Sequence, residues 1–273
     1  MELHVAIGQM DIALGDAEAN LRTVQELAAQ AAAQGAELLV LPELWGSGYD
    51  LERANELADE LNTGLFAATA ALARHHKLAI CGSLLEWDGA TEKVYNTATL
   101  YDANGALRGS YRKLHLIGLL DEDRYLAAGD AAPVIETPWG AGALAICYDL
   151  RFPELFRRYA LDGATLMLMP AEWPSPRIEH WRTLLRARAI ENQCFIVACN
   201  RVGQDRSNSF GGYSAIIGPR GELLAEAGDT PELRLATLNF DLISEVRNFQ
   251  PVFADRRPEV YGMEAASQPL RDL

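Results

Sequence analysis

Basic residues are scarce in this chain: 24 lysines and arginines face 38 aspartates and glutamates, a formal net charge of −14 at pH 7. No long basic run interrupts that imbalance. Phosphate binding needs clustered cations, so no nucleic-acid partner is expected, and the acidity reads as a solubility feature. Long apolar runs are also missing. The longest are about strand length, short of the roughly 20 residues of a membrane span, so no membrane partner is expected. The opening residues Met1-Glu2-Leu3-His4-Val5 lack a basic stretch followed by an apolar core, which makes the cytoplasm the expected location. Only four cysteines occur, Cys81, Cys147, Cys194 and Cys199. Their spacing fits neither CxxC pairs nor a short disulfide framework, and a zinc site is not expected. There is no Gly-rich phosphate loop of either common pattern, and GPRGE at Gly218–Glu222 reads as a turn. No metal and no cofactor are expected.

What is present is an ordinary globular composition, 49% hydrophobic and 23% charged over 273 residues, enough for a substantial core. No Pro/Gly/Ser-rich linker divides the chain and no repeat of fixed short period appears. The expectation is one α/β domain over residues 1–273, with a Pro- and Arg-bearing tail from about 254. Leu3–Met10 reads as a first strand, Asp11–Asn20 as a loop and Leu21–Gln34 as an alanine-rich helix with Gly35 at its C-terminal cap. Glu37–Pro42 is a buried strand stopped by proline. A helix over Leu65–His76 leads to a strand at Leu78–Leu85, and Val94–Tyr101 and Ala106–Tyr111 read as a hairpin. Leu114–Ala132 is a long irregular segment, of the kind that is often functional. Further strands are read at Ala164–Met169, Phe195–Asn200, Ser214–Gly218, Glu222–Glu226 and Leu233–Asn239. Helices are read at Arg177–Asn192 and Asp241–Asn248.

The most informative stretch is Gly142–Glu154, GALAICYDLRFPE. Ala143-Leu144-Ala145-Ile146 has the composition of a strand buried on both faces. Character changes at Cys147, and Phe152-Pro153-Glu154 opens a helix with proline at its start. Most cysteines outside disulfides are small buried hydrophobes, and Cys81, Cys194 and Cys199 read that way. Cys147 instead sits where a strand gives way to a turn and a helix, the place where open α/β sheets hold ligands. Two other strand ends carry chemistry: LLVLP ends at Glu43, and the strand through Tyr111 ends at Lys113. A thiolate is a nucleophile whose proton a nearby carboxylate can take, and a lysine can stabilise both the thiolate and an oxyanion. The N–H of Tyr148 is placed to be a second oxyanion donor. Together these are the parts of a cysteine hydrolase that uses no histidine. A Cys–His pair through His115 or His180 is the competing mechanism, with no evident third partner.

LPELWGSGY around Glu43, YRKLHL around Lys113 and CYDLRFPE around Cys147 resemble the three signature segments of the nitrilase (carbon–nitrogen hydrolase) superfamily, in the family's order. The resemblance covers the chain from the first strand to about Phe253. It implies a four-layer α-β-β-α sandwich of two mixed sheets, assembling into homodimers or larger homo-oligomers through outer helices. It implies a catalytic triad at Glu43, Lys113 and Cys147. A second glutamate follows the lysine in many members; Glu122 is the nearest match, with Asp121 beside it. AEWPSPRIEHW and RARAIENQCFIVACNRVG are similar to the omega-amidase branch, whose substrates are side-chain amides of 2-oxo acids such as 2-oxoglutaramate or 2-oxosuccinamate. The implied partner is therefore a small amide. Nitrile or N-carbamoyl hydrolysis on the same scaffold, a non-catalytic binding member and a metallohydrolase are the alternatives.

Around this triad, Tyr49 and Trp173 read as pocket walls or core aromatics. Glu172 and Arg177 follow another strand end and could meet substrate, Arg177 as the cation for an oxo-acid carboxylate. Asp149, Arg151 and Glu154 read as an ion-pair frame around the nucleophile's turn.

Overall fold

The strand Glu2–Gln9 is buried at every position from Val5 onward, which demands neighbours on both edges and both faces. In the computed structural model, which describes residues 1–262, both edges are taken. Glu232–Asn239 pairs with it antiparallel and Leu38–Val40 parallel. The six-stranded sheet continues through Ala79–Asp88, Lys93–Tyr101 and Leu107–Arg112. A second six-stranded sheet runs Val134–Thr137, Gly140–Leu144, Leu166–Ala171, Phe195–Asn200, Ala215–Ile217 and Leu223–Glu226. Taken across the sheet in these orders, starting from Glu232–Asn239 in the first, both share one pattern of pairing. It is antiparallel, parallel, parallel, antiparallel, antiparallel.

Side-chain alternation assigns the layers. Leu38 and Val40 point into the core between the sheets, with Val5, Ile7, Leu166, Leu168 and Val197. Leu39 and Leu41 point the other way, against Val24, Leu27, Ala28 and Ala31 of the helix Ala17–Ala33. Phe66 and Ala73 of the helix Gly64–His76 share that outer layer. On the second sheet, Leu155, Phe156 and Tyr159 of the helix Pro153–Leu161 and Trp181, Leu185 and Ala189 of the helix Ile178–Asn192 form the opposite outer layer. The expected α-β-β-α sandwich of mixed sheets is the observed architecture.

Departures from expectation are local. The first helix starts at Ala17, inside the expected loop, because the Asp16 carboxylate accepts from the Ala19 N–H (2.9 Å) and caps it. Gly35 lies one residue past the cap with φ +79°, the left-handed position that favours glycine. The strand before Cys147 begins earlier than expected and pairs with Val134–Thr137, which was read as part of no strand. The segment 114–132 contains two short helical turns, Gly118–Leu120 and Glu122–Tyr125. A small ribbon, Val202–Gln204 with Ser209–Gly211, adds to the expected elements. The expected tail is described as far as Gly262, and the rest of it lies outside the described residues.

Candidate active site

The two stacked sheets bring four strand ends together. Leu38–Val40 runs into Leu41-Pro42 and releases the chain at Glu43, whose N–H reaches the Ala171 carbonyl of the opposite sheet (3.4 Å). Leu107–Arg112 ends at Lys113, whose N–H still bonds the Asn96 carbonyl (2.9 Å). The strand Gly140–Leu144 leads to Cys147, and Leu166–Ala171 leads to Glu172.

Glu43, Lys113, Glu122 and Glu172 have no solvent exposure. Their contacts account for this, since buried charges persist only when paired and hydrogen-bonded. The Lys113 ammonium donates to Glu43 Oε1 (2.8 Å) and to Glu122 Oε1 (2.6 Å). Glu43 Oε1 also accepts from Asn96 Nδ2 (2.8 Å), and its Oε2 from the Glu172 N–H (2.8 Å). Glu122 Oε2 accepts from the Ile117 N–H (2.8 Å). The Tyr49 hydroxyl lies 2.8 Å from Glu122 Oε1 and 3.1 Å from Glu43 Oε1, with one proton to give. Burial opposes the charge on Lys113, but the carboxylates of Glu122 and Glu43 outweigh it and hold the ammonium well above the usual lysine range. Glu122 is pushed up by burial against the pull of Lys113. Asp121 is half-exposed and pairs with Arg124 (3.2 Å), so the structure puts Glu122, not Asp121, beside the lysine.

Cys147 stands on a short helical turn, Cys147–Arg151, with φ +43°. A side chain in that left-handed region costs about 1–2 kcal/mol and persists only where neighbours fix it. Here they do. Asp149 Oδ2 accepts from the Ile146 N–H (2.8 Å), and Arg188 donates twice to the Leu150 carbonyl (3.1 and 2.7 Å). The thiol is buried; burial, then the Glu43 charge, push its pKa well above the usual thiol range, while Lys113 acts the other way. The resting group is therefore a thiol with a carboxylate in place to receive its proton.

A narrow cavity borders Cys147. Cys147, Tyr148, Arg151, Glu172, Trp173 and Arg177 line it, with Ile117, Leu120 and Pro174. Trp173 is fixed by Asn200, which accepts from its N–H (2.6 Å), and its indole Nε1 donates to the Arg177 carbonyl (2.8 Å). Of the expected substrate-contacting residues, Tyr148, Glu172, Trp173 and Arg177 border this cavity. Tyr49 is a member of the charged cluster rather than a wall of the cavity.

The expected ion-pair frame is absent. Asp149 binds main-chain and hydroxyl donors, and His115 Nδ1 lies 2.7 Å from its Oδ1. The Arg151 guanidinium lies over the Trp173 ring (4.6 Å) and borders the cavity, and Glu154 is exposed. His115 is thus engaged by Asp149 and stacked on Phe152 (3.6 Å), and His180 is exposed. Residues that sequence reasoning did not single out are Asn96, Asn200 and Arg201. An asparagine inside an otherwise apolar or β-branched strand, as in YNTATL, was the available signal for Asn96, because a buried amide needs partners.

Two stacked mixed sheets that gather a thiol, an ammonium and two carboxyl groups at their strand ends define a class of amide-bond and nitrile-bond hydrolases. The sequence profile of that class, "Carbon-nitrogen hydrolase", matches residues 4–248, and the chain belongs to this family. It is a hydrolase of carbon–nitrogen bonds. It is 39% identical over 261 residues to a 2-oxoglutaramate amidase of Bacillus subtilis, covering 96% of this chain and 100% of that one. A 2-oxoglutaramate amidase of Paenarthrobacter nicotinovorans is 42% identical over 237 residues, covering 83% and 80%. Among solved structures, Saccharomyces cerevisiae Nit3, a member of the nitrilase superfamily, superposes with a TM-score of 0.87 at 30% identity, covering 94% of this chain and 97% of that one.

Proposed function

We propose that this protein is an omega-amidase, releasing ammonia from the side-chain amide of a small 2-oxo acid such as 2-oxoglutaramate. The observation that carries the reading is a buried Cys147 thiol within the field of the Glu43–Lys113 ion pair (2.8 Å), bordering a cavity that two arginines also line. The names of the two bacterial relatives supply the substrate.

Glu43 takes the thiol proton as Cys147 sulfur attacks the amide carbon. Lys113 and the Tyr148 N–H hold the oxyanion. The amide nitrogen takes the proton from Glu43, the carbon–nitrogen bond breaks, and ammonia leaves a thioester on Cys147. Water then gives a proton to Glu43 as its oxygen attacks the thioester; the acid leaves and the sulfur regains its proton. Glu122 keeps Lys113 oriented, and Arg151 and Arg177 receive the substrate carboxylate. Homo-oligomeric assembly through the outer helices and a cytoplasmic location belong to the same reading.

The test is ammonia release from a panel of 2-oxo acid amides, nitriles and N-carbamoyl compounds, with Cys147→Ala alongside. Turnover of the oxo-acid amides that falls at least about 10⁴-fold in the variant is expected. Faster turnover of a nitrile or carbamoyl compound replaces the substrate class. An active Cys147→Ala enzyme ends the mechanism.

A further inference from the structure

Glu172 is the one acid bordering the cavity outside the Lys113 cluster, and only half of its carboxyl group is accounted for. Oε2 accepts from Arg201 Nη1 (2.8 Å). Oε1 is buried with no hydrogen-bond partner. Such an orphaned oxygen costs free energy in the resting protein, so the site that keeps it needs a reason. Neutralising Arg201 is not sufficient. That guanidinium also donates to Asp11 Oδ1 (3.0 Å), the Ile12 carbonyl (2.9 Å) and the Val202 carbonyl (3.2 Å), and it lies over the Phe210 ring (4.4 Å). Arg201 is therefore a fully engaged anchor that fixes one lobe of the carboxyl and leaves the other free.

The free lobe is also placed beside the chemistry. The main-chain N–H of Glu172 is bonded to Glu43 Oε2 (2.8 Å), so the residue emerges next to the group that handles the proton, and it is one of the residues lining the cavity that Cys147 borders. A primary amide brings two N–H donors into that space. Glu43 has one oxygen shared by Lys113 and Asn96 and the other taken by Glu172 itself.

Resting on the amidase reading, we infer that Glu172 Oε1 accepts a hydrogen bond from the substrate's amide N–H, making Glu172 the residue by which the site distinguishes an amide from the corresponding ester. A lone pair is available on that oxygen in either protonation state. The bond orients the nitrogen for the proton that Glu43 delivers, and a substrate without N–H leaves the oxygen unsatisfied.

Glu172→Gln is the informative variant. It keeps size and burial. Arg201 can only donate, so it holds the new carbonyl oxygen and turns the –NH2 into the free lobe, where it meets the substrate's own N–H donors. The measurement is kcat/KM of wild type and variant for 2-oxoglutaramate and for the matching methyl ester, in which –OCH3 replaces –NH2. Calorimetric binding of both compounds to Cys147→Ala, with and without Glu172→Gln, repeats the comparison without turnover. The expected result is a loss of about 10- to 100-fold on the amide with the ester within about threefold. Equal losses on both compounds, or no loss on the amide, overturn the assignment while leaving the amidase reading intact. A folded wild type that neither binds nor hydrolyses the amide removes that reading and this one together.

Discussion

At the scale of single residues, Glu172 also governs how stability responds to pH. Burial lifts its pKa from 4.5 to about 8, against the opposing pull of Arg201. Between those values the folded chain holds a proton that the unfolded chain gives up. The stability this confers is complete below the unfolded pKa and is lost as pH rises through the folded one, a fall of order 3–5 kcal/mol. Urea unfolding at intervals between pH 5 and 9 is expected to show that fall in wild type and a flatter profile in Glu172→Gln, whatever the variant's absolute stability. Identical slopes would mean that Glu172 titrates as an ordinary carboxyl. The position of Glu172 after a strand was legible in the sequence, since MPAEW repeats the logic of LPELW. Its partner was not: Arg201 lies 29 residues away and meets it only because neighbouring parallel strands end together. Asn96 escaped for the same reason, since sequence order gives no measure of which lobe of Glu43 it would reach.

At the scale of elements, Asp149 joins the two pieces of chain that carry Lys113 and Cys147. Its carboxylate accepts from the Tyr111 hydroxyl (2.7 Å) and the His115 N–H (3.2 Å), two residues to either side of Lys113. It accepts as well from the Ile146 N–H, just before Cys147 (2.8 Å). One buried side chain thus sets the register between the lysine segment and the Cys147 turn. Asp149→Asn puts a donor where donors already converge, leaving at least one of them unsatisfied. We expect kcat to fall about tenfold or more with KM little changed, because Asp149 does not border the cavity. A rise in KM at constant kcat would contradict this positioning role. The sequence reading had Asp149, Arg151 and Glu154 pairing with one another. Charges close in sequence invite that reading, yet a tight helical turn sends consecutive side chains in different directions, and each of the three finds a separate environment.

At the scale of the whole molecule, the shared pairing order of the two sheets shows what a short-period search could not detect. LLVLPELW and LMLMPAEW occupy corresponding third strands in the orders given for the two sheets, and each delivers a glutamate to the centre, one to Lys113 and the other to Arg201. The layered architecture was legible because alternation and buried strand runs survive in the sequence. The Val134–Thr137 edge was not, because an edge strand has only one neighbour to satisfy and so carries a weaker apolar signature. The outer surface offers a test of assembly. Phe249 is 90% exposed and Ile190 52% exposed in the last turns of the helices Asp241–Phe249 and Ile178–Asn192. Light scattering is expected to give a dimer or larger species for wild type and a smaller one for Phe249→Asp; a monomeric wild type would remove homo-oligomerisation from the proposal. Finally, Glu2–Gln9 is paired along its whole length with Glu232–Asn239. During synthesis the earliest strand therefore waits for almost the last to leave the ribosome, with one edge open to chaperones or to neighbouring nascent chains. The sheet that is begun first is the one completed last.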